Sequence, residues 1–395
     1  MPGPDEKRES HLRGATRLAF DATLGVAGLV EQMHRTIQLA PFPVGAVSED
    51  VTVGLTGLVY RAVRGGIRIT GAGVDSILEG LDGHLPEAEA SPLRQAVVSA
   101  ANGVYGDHLV RTGNPLAIEM GLRSNGRAVA VEDPARSLED AGARDPGRKL
   151  LLLVHGLCMN DLQWTRDGFD HGRALADELG YTPLYLRYNS GLAIAENGRR
   201  LAELLERLVD RWPTPLEHVT ILGHSMGGLV ARAACVVGAE NGHVWMRRLR
   251  DLVFLGTPHL GSHVARGGLG LAYLMDLSPY LAPFAPLGTR LSEGLRDLDH
   301  GTITADGRGL VPLPTGVRCH TVAATLGARR GFVTDRLVGD GLVPLDSALG
   351  RHPDPARTLA FPDDHRWIGY ETSHLDLLCR PEVHARVRDW LGRAA

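Results

Sequence analysis

Residues 219–228 read VTILGHSMGG and are followed by LVARAACVV at 229–237. The first four residues are typical of a buried strand, and the second stretch is typical of a helix. Ser225 therefore stands at a strand-to-helix turn so sharp that its backbone must be strained, with its hydroxyl exposed at a helix N-terminus. Gly223 and Gly227 are needed because neighbouring chain segments approach too closely for side chains. Since the helix dipole favours developing negative charge, Ser225 is predicted to be a nucleophile; an ordinary serine in a glycine-rich turn is the alternative.

Around this turn, short apolar runs alternate with amphipathic helical stretches. A helix is predicted by the leucines at 201, 204, 205 and 208. Strands are predicted at 150–154 (LLLLV), 183–188 (PLYLRY), 219–222 (VTIL), 252–255 (LVFL) and 319–324 (CHTVAA). Strands that alternate with helices form βαβ units, so we predict an α/β fold whose mostly parallel central sheet carries helices on both faces.

The segment His155-Gly156-Leu157 follows the first of these strands. Acyl transfer passes through a tetrahedral oxyanion, which needs N–H donors already aimed at it. In a strand-to-helix serine site, one donor is the residue after the nucleophile, here Met226, and the other lies in the loop after an earlier strand. We select Leu157 for the second. His155 precedes the serine in the chain and is predicted to shape the loop rather than to act as the base.

Three motifs together resemble the lipase and esterase branch of the α/β-hydrolase superfamily. They are HGLCMNDLQW at 155–164, GHSMGG at 223–228 and GTPHLGS at 256–262. The last is also similar to GPI inositol-deacylase-like hydrolases. The resemblance covers about residues 148–395. It implies a serine hydrolase of carboxylic esters that needs no cofactor, with a Ser-His-Asp triad, a mostly parallel sheet and a lid inserted after the GTPHLGS strand.

The acid of the triad is assigned to Asp340. It lies in VGDGLVP at 338–344, which is similar to the D-G-x-V loop that carries the family's acid. Asp335 and Asp306 compete for the role, but neither has a glycine-flanked turn. Because Asp-Gly is also a common turn pair, a purely structural turn is the alternative.

The base is assigned to His374, which lies 34 positions after Asp340 in ETSHLD at 371–376. Family lipases place the base in a comparable S-H-L-D segment, and the order Ser, acid, His fits the fold. His384 falls within the terminal helix, where a surface or packing role is expected. His365 shares the loop region of His374 and stays open as an alternative base.

Two further features bear on metal binding and on the acyl group. Asp376 matches one position of the calcium site of some bacterial lipases, but 317–326 supplies no second aspartate, so we predict a helix N-cap and no metal. Residues 263–312 carry an apolar, proline-bearing stretch predicted to be a lid or a wall of an acyl pocket. An ordinary packed insertion is the alternative.

Residues 1–118 are predicted to be an N-terminal helical region, and residues 119–395 the hydrolase domain. Apolar residues recur at helical spacing through Leu18–Ile37 and Val59–Leu81, and a third helix is expected near 92–104. These helices would pack on the hydrolase domain, lie on a membrane or bind a partner. Arg mixes with Asp and Glu over residues 11–37, so fixed packing is preferred to a lipid surface.

Composition narrows the classes of function. The net charge of −4 does not favour binding to nucleic acid, which would call for a basic patch. The four cysteines show no metal-ligand spacing. The charged N-terminus lacks a secretory signal and no apolar run reaches ~20 residues, so a cytoplasmic protein with peripheral membrane contact at most is expected.

The expected activity is hydrolysis of a small-molecule or lipid ester with an apolar acyl group. An acyltransferase or thioesterase with the same triad is an alternative, because a fold does not fix the reaction. A non-catalytic scaffold that docks to a membrane or a protein is another, but a pure binding module has no need of a strained serine.

Overall fold

The computed structural model describes residues 92–143, 145–262, 292–307, 309, 311–328 and 339–393. Within these ranges the strands form one eight-stranded sheet in the order β2-β1-β4-β3-β5-β6-β7-β8. Strands β3 to β8 are parallel, whereas β1 is antiparallel to both of its neighbours. The strands are β1 Gly121–Ser124, β2 Arg127–Val129, β3 Lys149–Val154, β4 Thr182–Arg187, β5 His218–His224, β6 Leu249–Leu255, β7 Arg318–Ala324 and β8 Arg366–Gly369.

Helices cover both faces of the sheet. Those described are α1 Pro92–Arg111, α2 Pro134–Asp140, α3 His171–Leu179, α4 Ile194–Arg211, α5 Met226–Glu240, α6 Glu293–His300, α7 Leu345–Ala348 and α8 Pro381–Gly392. One core contains residues of α1, α4 and α5, and a second contains residues of α3 and α8. The predicted α/β fold with a mostly parallel central sheet is confirmed.

Strand β3 shows why the sheet is buried on both sides. Leu150, Leu152 and Val154 enter the first core, and Leu151 and Leu153 enter the second; all five are 0% exposed. Successive side chains of a strand point to opposite faces, so an unbroken apolar run needs apolar cover on both. Each such side chain contributes about 1.5–3 kcal/mol when fully buried.

The strand order places a crevice beside β3. From β3 the chain passes to β4 on one side, and then returns to β5 on the other side of β3. The connections that follow β3 and β5 therefore run in opposite directions, which opens a gap at the carboxyl ends of these two strands. Residues 155–158 follow β3 and Ser225 follows β5, so both predicted parts of the site lie at this gap.

Part of the predicted N-terminal region falls within the described residues. Helix α1 is longer than expected, since it reaches Arg111 rather than about residue 104. The predicted helices through Leu18–Ile37 and Val59–Leu81 lie outside the described residues, and the division at 118/119 stays a prediction. Among the described helices, none has the length and apolar character needed to cross a bilayer.

A buried histidine of α3 makes the fold sensitive to acid. His171 is 0% exposed; its Nε2–H donates to the carbonyl of Leu377 at 3.0 Å, and its Nδ1 lies 3.3 Å from Nδ1 of His384. Burial is the main reason why the pKa of His171 is lowered to about 4, and the nearby His384 lowers this pKa as well. The hydrogen bond to the Leu377 carbonyl and the charge of Asp170 act in the opposite direction and raise the pKa. On the far side of His384, Nε2 lies 3.2 Å from Glu178.

Between pH 6.5 and 4 the unfolded chain binds a proton at this position that the folded chain excludes. Protonation then favours unfolding, so the free energy of unfolding should fall as the pH is lowered, by up to about 1.4 kcal/mol per unit from this residue. Urea titrations at pH 7, 6 and 5 should give a shallower dependence for His171→Phe than for the wild type. The solvent-exposed His300→Gln serves as the control, and an unchanged dependence in His171→Phe would contradict this assignment.

Candidate active site

The turn between β5 and α5 holds Ser225 in a backbone conformation that L-residues rarely adopt. Its φ is 54° and its ψ is −126°. Its N–H donates to the carbonyl of Leu255 on β6 at 2.8 Å, which fixes the turn against the neighbouring strand. The predicted strain at Ser225 is therefore present, but the predicted exposed hydroxyl is not, because the residue is buried at 7% exposure.

The two glycines of the motif stand where the chain crosses itself. A Cβ on Gly223 would lie 2.6 Å from Cα of Gly228, and one on Gly227 would lie 2.1 Å from the carbonyl oxygen of Val154 at the end of β3. Neither contact can be relieved cheaply, because both neighbours are backbone atoms. The prediction that close approach requires these glycines is confirmed.

Asp340 and His374 meet in a buried pair. His374 Nδ1 lies 2.7 Å from Asp340 Oδ2, and both side chains are at most 1% exposed. The other carboxylate oxygen, Oδ1, accepts the N–H groups of Leu342 at 3.0 Å and Val343 at 2.8 Å. The backbone N–H of His374 also donates to the carbonyl of Asp340 at 3.0 Å. The Asp-Gly turn thus donates backbone hydrogen bonds to the carboxylate of Asp340. The carbonyl of Asp340 also holds the segment that carries the imidazole of His374.

These contacts fix the tautomer of His374. A carboxylate oxygen accepts the hydrogen bond, so Nδ1 is assigned as the donor and Nε2 is left as the acceptor of the ring. Nε2 is buried and has no partner among the described residues. A side chain in this state is ready to take a proton from a neighbouring group.

Two residues outside the predicted set contact His374. His224 donates its Nε2–H to the carbonyl of His374 at 3.1 Å, and burial lowers its pKa far below the usual range, so it stays neutral. Gly256 has a φ of 59°, and a Cβ there would lie 3.1 Å from Nδ1 and Cε1 of His374. Gly256 belongs to the GTPHLGS motif at 256–262. Neither contact could be predicted from the sequence, because both join segments that are far apart in the chain.

The loop after β3 lies against the nucleophile. A Cβ on Gly156 would lie 3.1 Å from Cβ of Ser225, so the backbone of this loop is in contact with the serine. Met226 is the first residue of α5, where N–H groups have no acceptor within their own helix. Leu157 follows Gly156 and lines the same cavity as Ser225.

His155 has the structural role predicted for it. Its Nδ1–H donates to the carbonyl of Gly156 at 2.8 Å, and its ring stacks on Tyr188 with centroids 4.4 Å apart. Burial lowers the pKa of His155 to about 3, so it is neutral near pH 7. The hydroxyl of Tyr188 donates to the carbonyl of His155 at 2.8 Å, which ties the loop to the end of β4.

The cavity at the crevice is narrow and mostly apolar. Ser225 and His374 line it together with His224 and Ser262. Its apolar lining consists of Leu157, Met159, Pro258, Leu298, Leu342 and Val343. The hydroxyl of Ser262, a residue 2% exposed, has no partner among the described residues.

The competing acids and bases lie elsewhere. His365 precedes β8 and so lies at the amino ends of the parallel strands, whereas Ser225 lies at their carboxyl ends. Its Nδ1 donates to the carbonyl of Cys319 at 3.0 Å. His384 packs between His171 and Glu178, as expected for a packing residue. Asp306 is exposed, and Asp335 lies outside the described residues.

Asp376 differs in detail from the predicted helix cap. Its carboxylate accepts the N–H of Ser373 at 2.9 Å, while the hydroxyl of Ser373 accepts the N–H of Asp376 at 3.3 Å. The two residues therefore form a reciprocal pair around the turn that carries His374. The predicted helix N-cap role is wrong, because Asp376 is the first residue of the short helix Asp376–Leu378, whose N-cap position is Leu375. Within the described ranges, no cluster of His, Cys, Asp or Glu is arranged to hold a metal ion.

Most of the predicted lid, 263–291, lies outside the described residues, and its role stays a prediction. Its described part contains α6, which is fixed to the body of the domain. The carboxylate of Asp297 accepts the N–H of Ile194 at 2.8 Å, and the hydroxyl of Ser292 donates to the carbonyl of Gly103 at 2.7 Å. Leu298 of this helix lines the cavity.

Comparison with known proteins gives one family match and several structural likenesses. The family described as the PGAP1-like alpha/beta domain matches residues 149–274. A lipase of Bacillus licheniformis in its mature form is 17% identical with a TM-score of 0.43, over 62% of this chain and 93% of that one. An esterase of Pyrococcus furiosus is 18% identical with a TM-score of 0.38, over 62% and 81% of the two chains. No curated protein matches the sequence significantly.

The family match begins at β3 and includes the β5–Ser225–α5 turn and the GTPHLGS motif, the segments from which the resemblance was inferred. The resemblance is therefore confirmed for the segment that carries its motifs: residues 149–274 match a PGAP1-like alpha/beta domain, and the described chain has the mostly parallel α/β sheet that the resemblance implied.

Proposed function

We propose that the protein is a carboxylic ester hydrolase, of esterase or lipase type, that works through an acyl-enzyme on Ser225. The observation that carries the proposal is the Asp340–His374 pair, whose 2.7 Å hydrogen bond leaves Nε2 of the imidazole with a lone pair at the cavity that Ser225 also lines. A strained serine beside a base in this tautomer is the arrangement that acyl transfer requires.

In the first half of the reaction, His374 Nε2 takes the proton of Ser225 as Oγ attacks the acyl carbon. The ester carbonyl becomes an oxyanion, which the N–H groups of Leu157 and Met226 stabilise, aided by the N-terminal end of α5. Asp340 stabilises the imidazolium that forms. When the tetrahedral intermediate collapses, the alcohol leaves with the proton of His374, and the acyl group stays on Ser225.

In the second half, water attacks the acyl-enzyme. His374 takes a proton from the water, and the same two N–H groups stabilise the second oxyanion. Collapse of this intermediate returns the proton to Ser225 Oγ and releases the carboxylic acid. No cofactor or metal is needed at any step, since each proton moves between Ser225, His374 and the reactants.

The apolar lining of the cavity supports an apolar acyl group, because a charged group would lose its hydration there without a partner. Small-molecule and lipid esters both satisfy this condition. Loss of activity on removal of one of the three side chains would separate this proposal from a scaffold that only binds.

A fluorophosphonate probe should label Ser225 and no other serine of the folded protein, because the strained turn and His374 activate this hydroxyl alone. Intact mass followed by peptide mapping measures the adduct. Ser225→Ala and the heat-denatured wild type are the controls and should remain unlabelled. Folded wild type without an adduct on Ser225 would contradict the mechanism.

Asp340→Asn and His374→Ala should each lower kcat/KM for a p-nitrophenyl ester by about 10³-fold or more while the far-UV circular dichroism is retained. Asp340→Asn removes the charge that stabilises the imidazolium, and His374→Ala removes the base itself. The matched controls are His365→Ala and Asp306→Asn, which should keep kcat/KM within a few fold, and Asp335→Asn tests the remaining acid. Loss in His365→Ala with near-normal His374→Ala would reassign the base.

Of two esters with acyl groups of similar size, the enzyme should prefer the one whose acyl group is uncharged. The p-nitrophenyl ester of pentanoic acid should be hydrolysed at least about ten times more efficiently than the p-nitrophenyl monoester of succinic acid, whose carboxylate would have to enter the cavity dehydrated. The measurement is kcat/KM at pH 7.5 for both esters, corrected for spontaneous hydrolysis. Equal values for the two would exclude an apolar acyl site.

A further inference from the structure

Helix α1 has a narrow face of small residues that is turned to the catalytic domain. Ala96, Ser99 and Ala100 are at most 7% exposed, and Gly103 and Gly106 continue the same face at three- and four-residue spacing. Small side chains let the backbone of a helix approach another segment closely. In this protein the approached segments are the loops after β3 and β4.

Gly103 touches the loop that contains the proposed oxyanion donor. A Cβ built on Gly103 would lie 2.9 Å from both N and Cα of Cys158, and 2.2 Å from its sulfur. The sulfur is the far end of a short, buried side chain and the other two atoms are backbone, so no side chain fits at position 103 unless the loop moves. Cys158 follows Leu157 directly, and one peptide plane separates this contact from the Leu157 N–H.

Two hydrogen bonds tie the same loop in place, and a third holds α1. The N–H of Cys158 donates to the hydroxyl of Ser190 at 3.0 Å. The side-chain amide of Asn160 donates to the hydroxyl of Ser99 on α1 at 3.2 Å. On the other side of α1, the hydroxyl of Ser292 donates to the carbonyl of Gly103 at 2.7 Å. The loop is thus fixed from α1, while α1 is itself fixed from the start of α6.

Cys158 shows that the loop needs this support. Its φ is 61°, a left-handed value that costs energy for any residue other than glycine. The residue is 1% exposed, and the surrounding contacts hold it in this conformation. Relaxation of Cys158 to a negative φ would rotate the peptide that joins it to Leu157.

We propose that Gly103 is a positioning residue: through its contact with Cys158, helix α1 holds the loop after β3 so that the Leu157 N–H is aimed at the oxyanion. This assignment rests on the proposed ester hydrolysis. Gly103 touches no reacting atom. Its effect is on the pre-organisation of a donor that is needed chiefly in the transition state.

The test is Gly103→Ala, made in the full chain. Removal of an oxyanion donor typically costs 10²–10³-fold in kcat, so its displacement should lower kcat by about 10- to 100-fold while KM changes less than about threefold. Hydrogen–deuterium exchange of the peptide that covers residues 153–163 should rise. Gly392→Ala is the matched control, since it adds a Cβ to a helix with only an ordinary 3.6 Å contact and should leave kcat and exchange unchanged.

A gentler variant covers the case in which Gly103→Ala fails to fold. Ser99→Ala removes the hydrogen bond from Asn160, together with the one that the Ser99 hydroxyl donates to the carbonyl of Gln95 within α1, and adds no bulk. It should therefore raise the same exchange and lower kcat by a few fold. Folded Gly103→Ala with wild-type kcat and exchange overturns the proposal, as does an unfolded Gly103→Ala combined with a wild-type Ser99→Ala.

The exchange measurement separates this inference from the proposed function. If the wild type hydrolyses no ester and takes up no fluorophosphonate, the proposed function fails. Raised exchange in Gly103→Ala would then still support the contact between α1 and the loop, whereas its role in aiming a catalytic donor would be overturned.

Discussion

The site depends on one steric constraint, the crossing of the β5–α5 turn over the end of β3. The carbonyl oxygen of Val154 lies so close to Gly227 that a Cβ would fall 2.1 Å from it. This contact sets the distance between the nucleophile and the loop after β3 before any side chain is considered. The crevice itself comes from the change of strand order. The close crossing accompanies the strained backbone of Ser225 and the contact between Gly156 and the serine.

Burial keeps the histidines around this crossing neutral. The pKa values of His155 and His224 are both lowered by loss of water, and each ring uses one N–H to hold a backbone carbonyl of the site. A cation at either position would oppose the imidazolium that the mechanism forms at His374. The two rings therefore support the site through hydrogen bonds without adding charge. Asp340 is the acidic residue that contacts His374 directly.

The sequence predicts the sheet well because each buried strand is an unbroken apolar run, and a run such as 150–154 has no other stable location. The pairing of Asp340 with His374 was predicted from the resemblance, which implies that D-G-x-V and S-H-L-D segments carry the acid and the base. The sequence did not predict the hydrogen bond from His224 to the carbonyl of His374, or the reciprocal pair that Ser373 forms with Asp376. Those contacts join segments far apart in the chain or depend on the orientation of one hydroxyl, and no local pattern encodes either.

Helix α1 and its packing on the hydrolase domain were expected, but the loop that it contacts was not, because periodicity identifies an apolar face without saying which segment covers it. Its contact with Cys158 has a thermodynamic consequence. A docked and an undocked α1 would define two states that differ in the order of the loop after β3. A ligand or protein that binds the docked helix more tightly would raise the fraction of active molecules, and one that prefers the undocked helix would lower it by the ratio of the two affinities.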